Sequence, residues 1–203
     1  MGKCHSIGVL GGTFDPIHLG HLLTAEAVRE ILSLNKIIFI PAAVPPHKLG
    51  KEIAAAKHRL AMAILATREN PFFCVSDMEL QRKGPSYTTD TIDALKREQG
   101  ADTEIYFITG ADAINALDTW RAPTELLAKC HFVAATRQGT SLARDFLREC
   151  FGELAQEHIH EVETPELEIS STEIRRRIQE GLSIRYMVPE SVAEYIFKEG
   201  LYL

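Results

Sequence analysis

Short apolar runs recur along the chain and alternate with longer amphipathic stretches. The runs are Ile7–Leu10, Ile37–Ile40, Phe72–Val75, Glu104–Ile108, His131–Ala135 and His158–Val162. Between them, apolar residues repeat at helical spacing over Leu22–Leu32, Ala55–Arg68, Thr89–Glu98 and Ser141–Leu154. Short apolar strands separated by helices predict βαβ units and a parallel sheet covered on both faces. Ser170-Ser171-Thr172-Glu173 opens a further helix, and Pro189 lies in the first turn of another. Residues from about 165 to 203 therefore read as a small helical C-terminal part. No internal repeat, low-complexity tract or linker interrupts the pattern, which predicts one domain over residues 1–203. The segment Pro41–Lys51, with Pro45-Pro46-His47-Lys48, breaks both strand and helix. It predicts a stiffened loop carrying a cation.

Ligands of parallel sheets bind at the carboxyl ends of the strands, near a topological switch point. Gly11-Gly12-Thr13-Phe14-Asp15-Pro16-Ile17-His18-Leu19-Gly20-His21 stands at such an end, between the first strand and the first helix. The glycine pair lets backbone approach a ligand closely. The helix N-terminus behind it favours an anion. Asp15 and Pro16 suit a helix cap and first turn. His18 and His21, three residues apart, share one face of that turn. A tight turn with satisfied histidines is the plain alternative, but it gives no packing reason for two histidines at a positive helix end. A metal held by the pair is the weaker functional reading, since no further ligands follow at a matching spacing.

Composition narrows this. Hydrophobic residues make up 45% of the 203 and charged residues 25%, as in ordinary globular proteins. The formal net charge of -6 argues against a general nucleic-acid surface. Positive charge for a phosphate ligand must then be local, from His18, His21, Lys48 or Arg175-Arg176-Arg177. Cys4, Cys74, Cys130 and Cys150 form no C-x-x-C pair, which predicts reduced cysteines in a cytoplasmic protein. Neither a membrane span nor a signal peptide is expected. Met1-Gly2-Lys3-Cys4-His5-Ser6 fits a myristoylation pattern, but the first strand follows too closely to leave a tether.

Further candidates lie downstream. Ser170 and Glu173 have capping-box spacing, which by itself describes a surface helix. Arg175 near the same positive end opposes the dipole unless an anion is present, and an ATP phosphate would supply one. Tyr87-Thr88-Thr89-Asp90-Thr91 opens a helix with hydroxyls, and alone is an ordinary cap. Trp120, following Gly110-Ala111-Asp112, suits core packing and ring stacking about equally. There is no evident catalytic triad, Walker lysine or HExxH. This set suits a reaction without a protein nucleophile. A phosphate monoester, whose second pKa is ~6, can itself attack the α-phosphorus of ATP. The protein aligns two polyanions and neutralises charge as pyrophosphate leaves. Mg²⁺ would arrive on the ATP phosphates.

These residues resemble the bacterial nicotinate mononucleotide adenylyltransferases of the nucleotidyltransferase superfamily. Gly11 to His21 resembles the H-x-G-H element that cradles ATP phosphates. Pro45-Pro46-His47-Lys48 resembles the mononucleotide-side loop. Ser86-Tyr87-Thr88-x-Asp90-Thr91, Gly110-x-Asp112 and Trp120 recur in family order. Ile169-Ser170-Ser171-Thr172-x-Ile174-Arg175 resembles the second ATP motif, and Val188-Pro189-Glu190-Ser191-Val192-x-x-Tyr195-Ile196 the C-terminal helix. The resemblance implies a Rossmann-like α/β fold with a small helical C-terminal part. It implies ATP and nicotinate mononucleotide as substrates and no nucleic-acid or membrane partner, and is compatible with a homo-oligomer. ATP contacts are expected at Gly11, Gly12, Thr13, Phe14, His18, His21, Gly110, Asp112, Ser170, Ser171, Thr172 and Arg175. Mononucleotide contacts are expected at Lys48, Thr88, Asp90, Trp120 and Arg121, with His18, His21, Lys48 and Arg175 catalytic. Arg121 stands where the family often has an aromatic residue.

The same H-x-G-H occurs in phosphopantetheine adenylyltransferase, but the Lys48 loop, Trp120 and Arg175 argue against it. Class I aminoacyl-tRNA synthetases are excluded by the short chain and the missing K-M-S-K-S run. A non-catalytic nucleotide sensor is the reading from another class; nothing in the motif set looks degraded enough to favour it.

Overall fold

The computed structural model describes residues 5–43, 53–82, 84, 86–136, 141–165 and 167–203. Six parallel strands form one sheet in the order β3-β2-β1-β4-β5-β6. They are β1 (Ser6–Gly12), β2 (Lys36–Pro41), β3 (Phe73–Val75), β4 (Glu104–Gly110), β5 (His131–Thr136) and β6 (Ile159–Glu163). β1 pairs with β2 on one side and β4 on the other, so Leu10 lies opposite both Phe39 and Ile108. The chain builds outward from β1 to β3, then returns to start again at β4. The gap between the ends of β1 and β4 is thus the switch point of the sheet.

Alternate residues of each strand serve opposite faces. Val9, Ile40, Phe107 and Phe132 face α3 (Thr88–Gln99), the short α4 (Ala111–Asn115), α5 (Pro123–Lys129), α6 (Arg144–Phe151) and α7 (Glu153–His158). Leu10, Phe39, Ile108 and Val133 face α1 (Leu19–Ile31), α2 (Ala56–Thr67), α8 (Ser171–Gln179) and α9 (Glu190–Lys198). Two-sided burial explains the nearly continuous apolar strands. No helix among the described residues is long and apolar enough to cross a membrane.

Three local expectations are corrected. Helix α1 begins at Leu19, with His18 rather than Asp15 at its N-cap. The stretch expected as one helix over Ser141–Leu154 is two, α6 and α7, divided at Gly152, whose φ of 60° suits only glycine well. The last strand starts at Ile159, since His158 closes α7.

Candidate active site

The turn after β1 is buried from Phe14 to His18. Its Asp15-Pro16 peptide is cis, and Phe14 has a left-handed φ of 51°. Asp15 makes no cap for α1; its Oδ1 accepts the Ala54 N–H at 3.1 Å and the Tyr202 hydroxyl at 2.8 Å. Burial, and then the Asp15 charge, push the Tyr202 phenol well above its ordinary range, which keeps it a donor. His18 is the N-cap of α1, and its N–H donates to His21 Nδ1 at 3.2 Å. That bond fixes Nδ1 of His21 as acceptor, so the ring proton sits on Nε2. The two imidazoles stack with centroids 3.7 Å apart, and Phe14 packs edge-on against His21 at 5.2 Å. Gly20 permits this arrangement, because a Cβ there would lie 3.0 Å from His18 Nδ1.

Helix α8 folds back onto the same turn. Ser170 caps it by accepting the Glu173 N–H at 3.1 Å, and the Ser171 hydroxyl donates to the Pro16 carbonyl at 2.9 Å. Arg175 donates to the Asp15 carbonyl at 2.6 Å and lies 3.6 Å from the Asp15 carboxylate. Its other nitrogen donates to Thr172 Oγ1 at 3.2 Å. Asp15 thus sets one negative charge beside Arg175 at this helix start.

Two clefts open at the switch point. The first, about 470 Å³, is lined by Gly11, His18, Gly20, His21, Gly110, Asp112, Ser170 and Ser171, with Thr24 and Thr109. The second, about 540 Å³, is lined by Thr88, Trp120 and Arg121, with Ser86, Tyr87 and Phe107. Gly11, Thr109 and Asp112 belong to both walls. Trp120 is half-buried and meets Phe107 and Phe132 edge-on at 6.0 and 5.8 Å, so it joins the core and still walls the cleft. Arg121 lies over the Tyr87 ring at 4.8 Å and 3.5 Å from Asp90 Oδ2.

Of the expected site residues, Gly12, Thr13, Phe14, Thr172 and Arg175 do not line the first cleft, nor Asp90 the second. Arg175 donates to the turn at Asp15, Thr172 accepts from Arg175, and Phe14 packs on His21. Lys48 lies outside the described residues. Sequence reasoning passed over Thr109, which stands beside Gly110 at the end of β4, and Arg59, a charge within an amphipathic helix pattern. Strand-end position marks the first. For the second, a single arginine carries no signal until its partners are known.

The cytidylyltransferase-like family model matches residues 9–177. A Thermoanaerobacter sp. (strain X514) protein described as "Probable nicotinate-nucleotide adenylyltransferase" is 50% identical, covering 97% of this chain and 93% of its own. A Moorella thermoacetica protein with the same description is 49% identical, covering 97% of this chain and 91% of its own. A solved structure of Plasmodium falciparum nicotinic acid mononucleotide adenylyltransferase, complexed with NaAD, has the same fold, with a TM-score of 0.78 at 20% identity over 97% of each chain. The chain belongs to the cytidylyltransferase-like family and, within it, to the nicotinate-nucleotide adenylyltransferases.

Proposed function

We infer that this protein transfers the adenylyl group of ATP to nicotinate mononucleotide, forming nicotinate adenine dinucleotide and pyrophosphate in NAD biosynthesis. The observation that carries this reading is the pair of clefts sharing Gly11, Thr109 and Asp112 at the switch point. Two substrates bound in adjoining clefts meet at that wall. The mononucleotide phosphate, largely dianionic near neutral pH, attacks the α-phosphorus in line, and the bond to pyrophosphate breaks. No general base is needed. ATP would carry Mg²⁺ with it as substrate, which would offset part of its phosphate charge.

In this reading the whole chain acts as one cytoplasmic domain. The glycine-rich turn and His18 and His21 receive the ATP phosphates, and the His21 Nε2–H donates to charge that grows as pyrophosphate leaves. Gly110, Asp112, Ser170 and Ser171 complete the ATP side. Arg175 and Thr172 also meet the ATP phosphates, with Arg175 held at the turn by Asp15, and Lys48 supplies a cation to the mononucleotide phosphate. Trp120 stacks on the nicotinate ring while Thr88, the first residue of α3, offers a backbone N–H to its carboxylate. Asp90 holds Arg121, which leaves the acid-selective contact to backbone.

The test is pyrophosphate release with ATP and either nicotinate or nicotinamide mononucleotide. The acid is expected to be preferred, because donors facing a carboxylate face one end of an amide donor to donor. The preference is expected to survive Arg121→Ala, and Trp120→Ala to slow both acceptors alike. A wild-type ratio near one would overturn the nicotinate assignment. Collapse of the ratio in Arg121→Ala would move selectivity to that side chain.

A further inference from the structure

Arg59 is the largest fully buried side chain described, at 1% exposure, and it lines neither cleft. It sits in the first turn of α2. Each hydrogen bond it makes among the described residues goes to a backbone carbonyl, and the carbonyls come from three places. Nη1 donates to Thr13 O at 2.8 Å and to Ala42 O at 2.7 Å. Nη2 donates to Ala43 O at 3.3 Å, and Nε to Ala54 O at 3.0 Å. Burial depresses its basicity, and the nearby Asp15 charge works the other way. A guanidinium is suited to this task because its donors diverge in one rigid plane.

The places it joins are unequal in function. Thr13 belongs to the turn that leads to His18 and His21. Ala43 donates its N–H to Ser86 Oγ at 3.1 Å, and Ser86 lines the second cleft. Ala54 donates to the Asp15 carboxylate, which stands beside Arg175. One buried cation therefore spans the frameworks of both clefts without facing either.

We propose that Arg59 is a positioning residue for adenylyl transfer: it fixes the turn at Thr13 relative to the Ala42–Ala43 segment, and so the alignment of the two bound phosphates. The proposal rests on the two-substrate reading above. In-line transfer is sensitive to such alignment, since a displacement of about 1 Å from a distant change can cost on the order of 10²-fold in rate. Binding of each substrate alone depends on one cleft at a time and does not need the two to be in register.

The experiment compares wild type, Arg59→Lys and Leu147→Ala, the last a core change in α6 on the other face of the sheet. Folding is followed by thermal denaturation. Binding of α,β-methylene ATP and of nicotinate mononucleotide is measured separately by calorimetry, and turnover by pyrophosphate release. Lysine keeps the charge but cannot span four carbonyls from one nitrogen. Arg59→Lys is expected to fold and to bind each ligand within about threefold of wild type, while kcat falls on the order of 10²-fold and is not restored by excess of both substrates. Leu147→Ala, assayed below its unfolding temperature, is expected to keep its kcat. A kcat for Arg59→Lys within about threefold of wild type would overturn the proposal. So would a loss confined to KM, or failure to fold where Leu147→Ala folds, which would make Arg59 a folding residue. If the wild type used another phosphate monoester instead, the nicotinate reading would fail, and the same comparison on that acceptor would still decide the role of Arg59.

Discussion

His18 and His21 show how little separates a helix cap from the catalytic pair we propose. The His18 N–H is one of the donors a helix start leaves over, and His21 Nδ1 accepts it. The same bond directs the remaining ring proton to Nε2, the donor in the proposed transfer. Gly20 spares the His18 ring crowding, since a Cβ there would come within 3.0 Å of it. His21→Ala should lose both services. Its stability should fall by about 1 kcal/mol, as for a lost cap. Its kcat should fall on the order of 10²–10³, as for the loss of one preorganised donor. KM for ATP should rise much less, because the donor matters most to charge that develops in the transition state. Steady-state kinetics on folded protein test this, and near-normal kcat would remove His21 from the transition state. The H-x-G-H spacing was readable from sequence. The stacking of the two rings was not, since it depends on Phe14 and on a turn of unusual backbone.

At the scale of elements, the far half of the sheet carries a feature unrelated to the clefts. Tyr106 of β4, His131 of β5 and His158 at the end of α7 stack in series, each ring 4.7 Å from the next. His160 of β6 hydrogen-bonds His131 ring to ring at 3.0 Å. Burial, followed by the neighbouring imidazoles, holds His131 and His160 below the ordinary histidine range. Glu104 and the Glu157 carbonyl oppose this at His131 but do not outweigh it. The unfolded chain therefore binds more protons than the folded one below the ordinary histidine pKa of about 6.5. Stability should be level above that pH and decline as pH falls below it, until the folded groups also protonate. Urea denaturation between pH 7.5 and 5.5 should show the decline, and His160→Gln should flatten it. An unchanged slope in His160→Gln would refute the assignment. Strand identity was legible here from apolar runs. Which of three histidines would meet was set by register, with Tyr106 opposite His131 and Val133 opposite His160.

At the scale of the whole molecule, α8 and α9 secure the turn that carries His18 and His21. Ile174, Ile178, Val192 and Ile196 are buried in one cluster with Leu10, Phe14 and Ile17. Tyr202, beyond α9, reaches back to Asp15. Ile196→Ala should therefore cost about 2–5 kcal/mol, the range for truncating a fully buried isoleucine. Chemical denaturation followed by circular dichroism measures it, and a loss below about 1 kcal/mol would mean the C-terminal helix is not part of the cooperative core. The sequence by itself determined the class of fold, because apolar strands alternating with amphipathic helices can bury both kinds of surface only around a parallel sheet. It also determined the motifs at strand ends, where short spacing keeps the residues together in any folded form. Tertiary structure alone decided the rest. Asp15 meets Tyr202, Arg175 and Ala54 across 187, 160 and 39 positions of chain, and Arg59 gathers carbonyls from three segments. Partners so distant are brought together by the packing of whole elements, and local pattern holds no record of them.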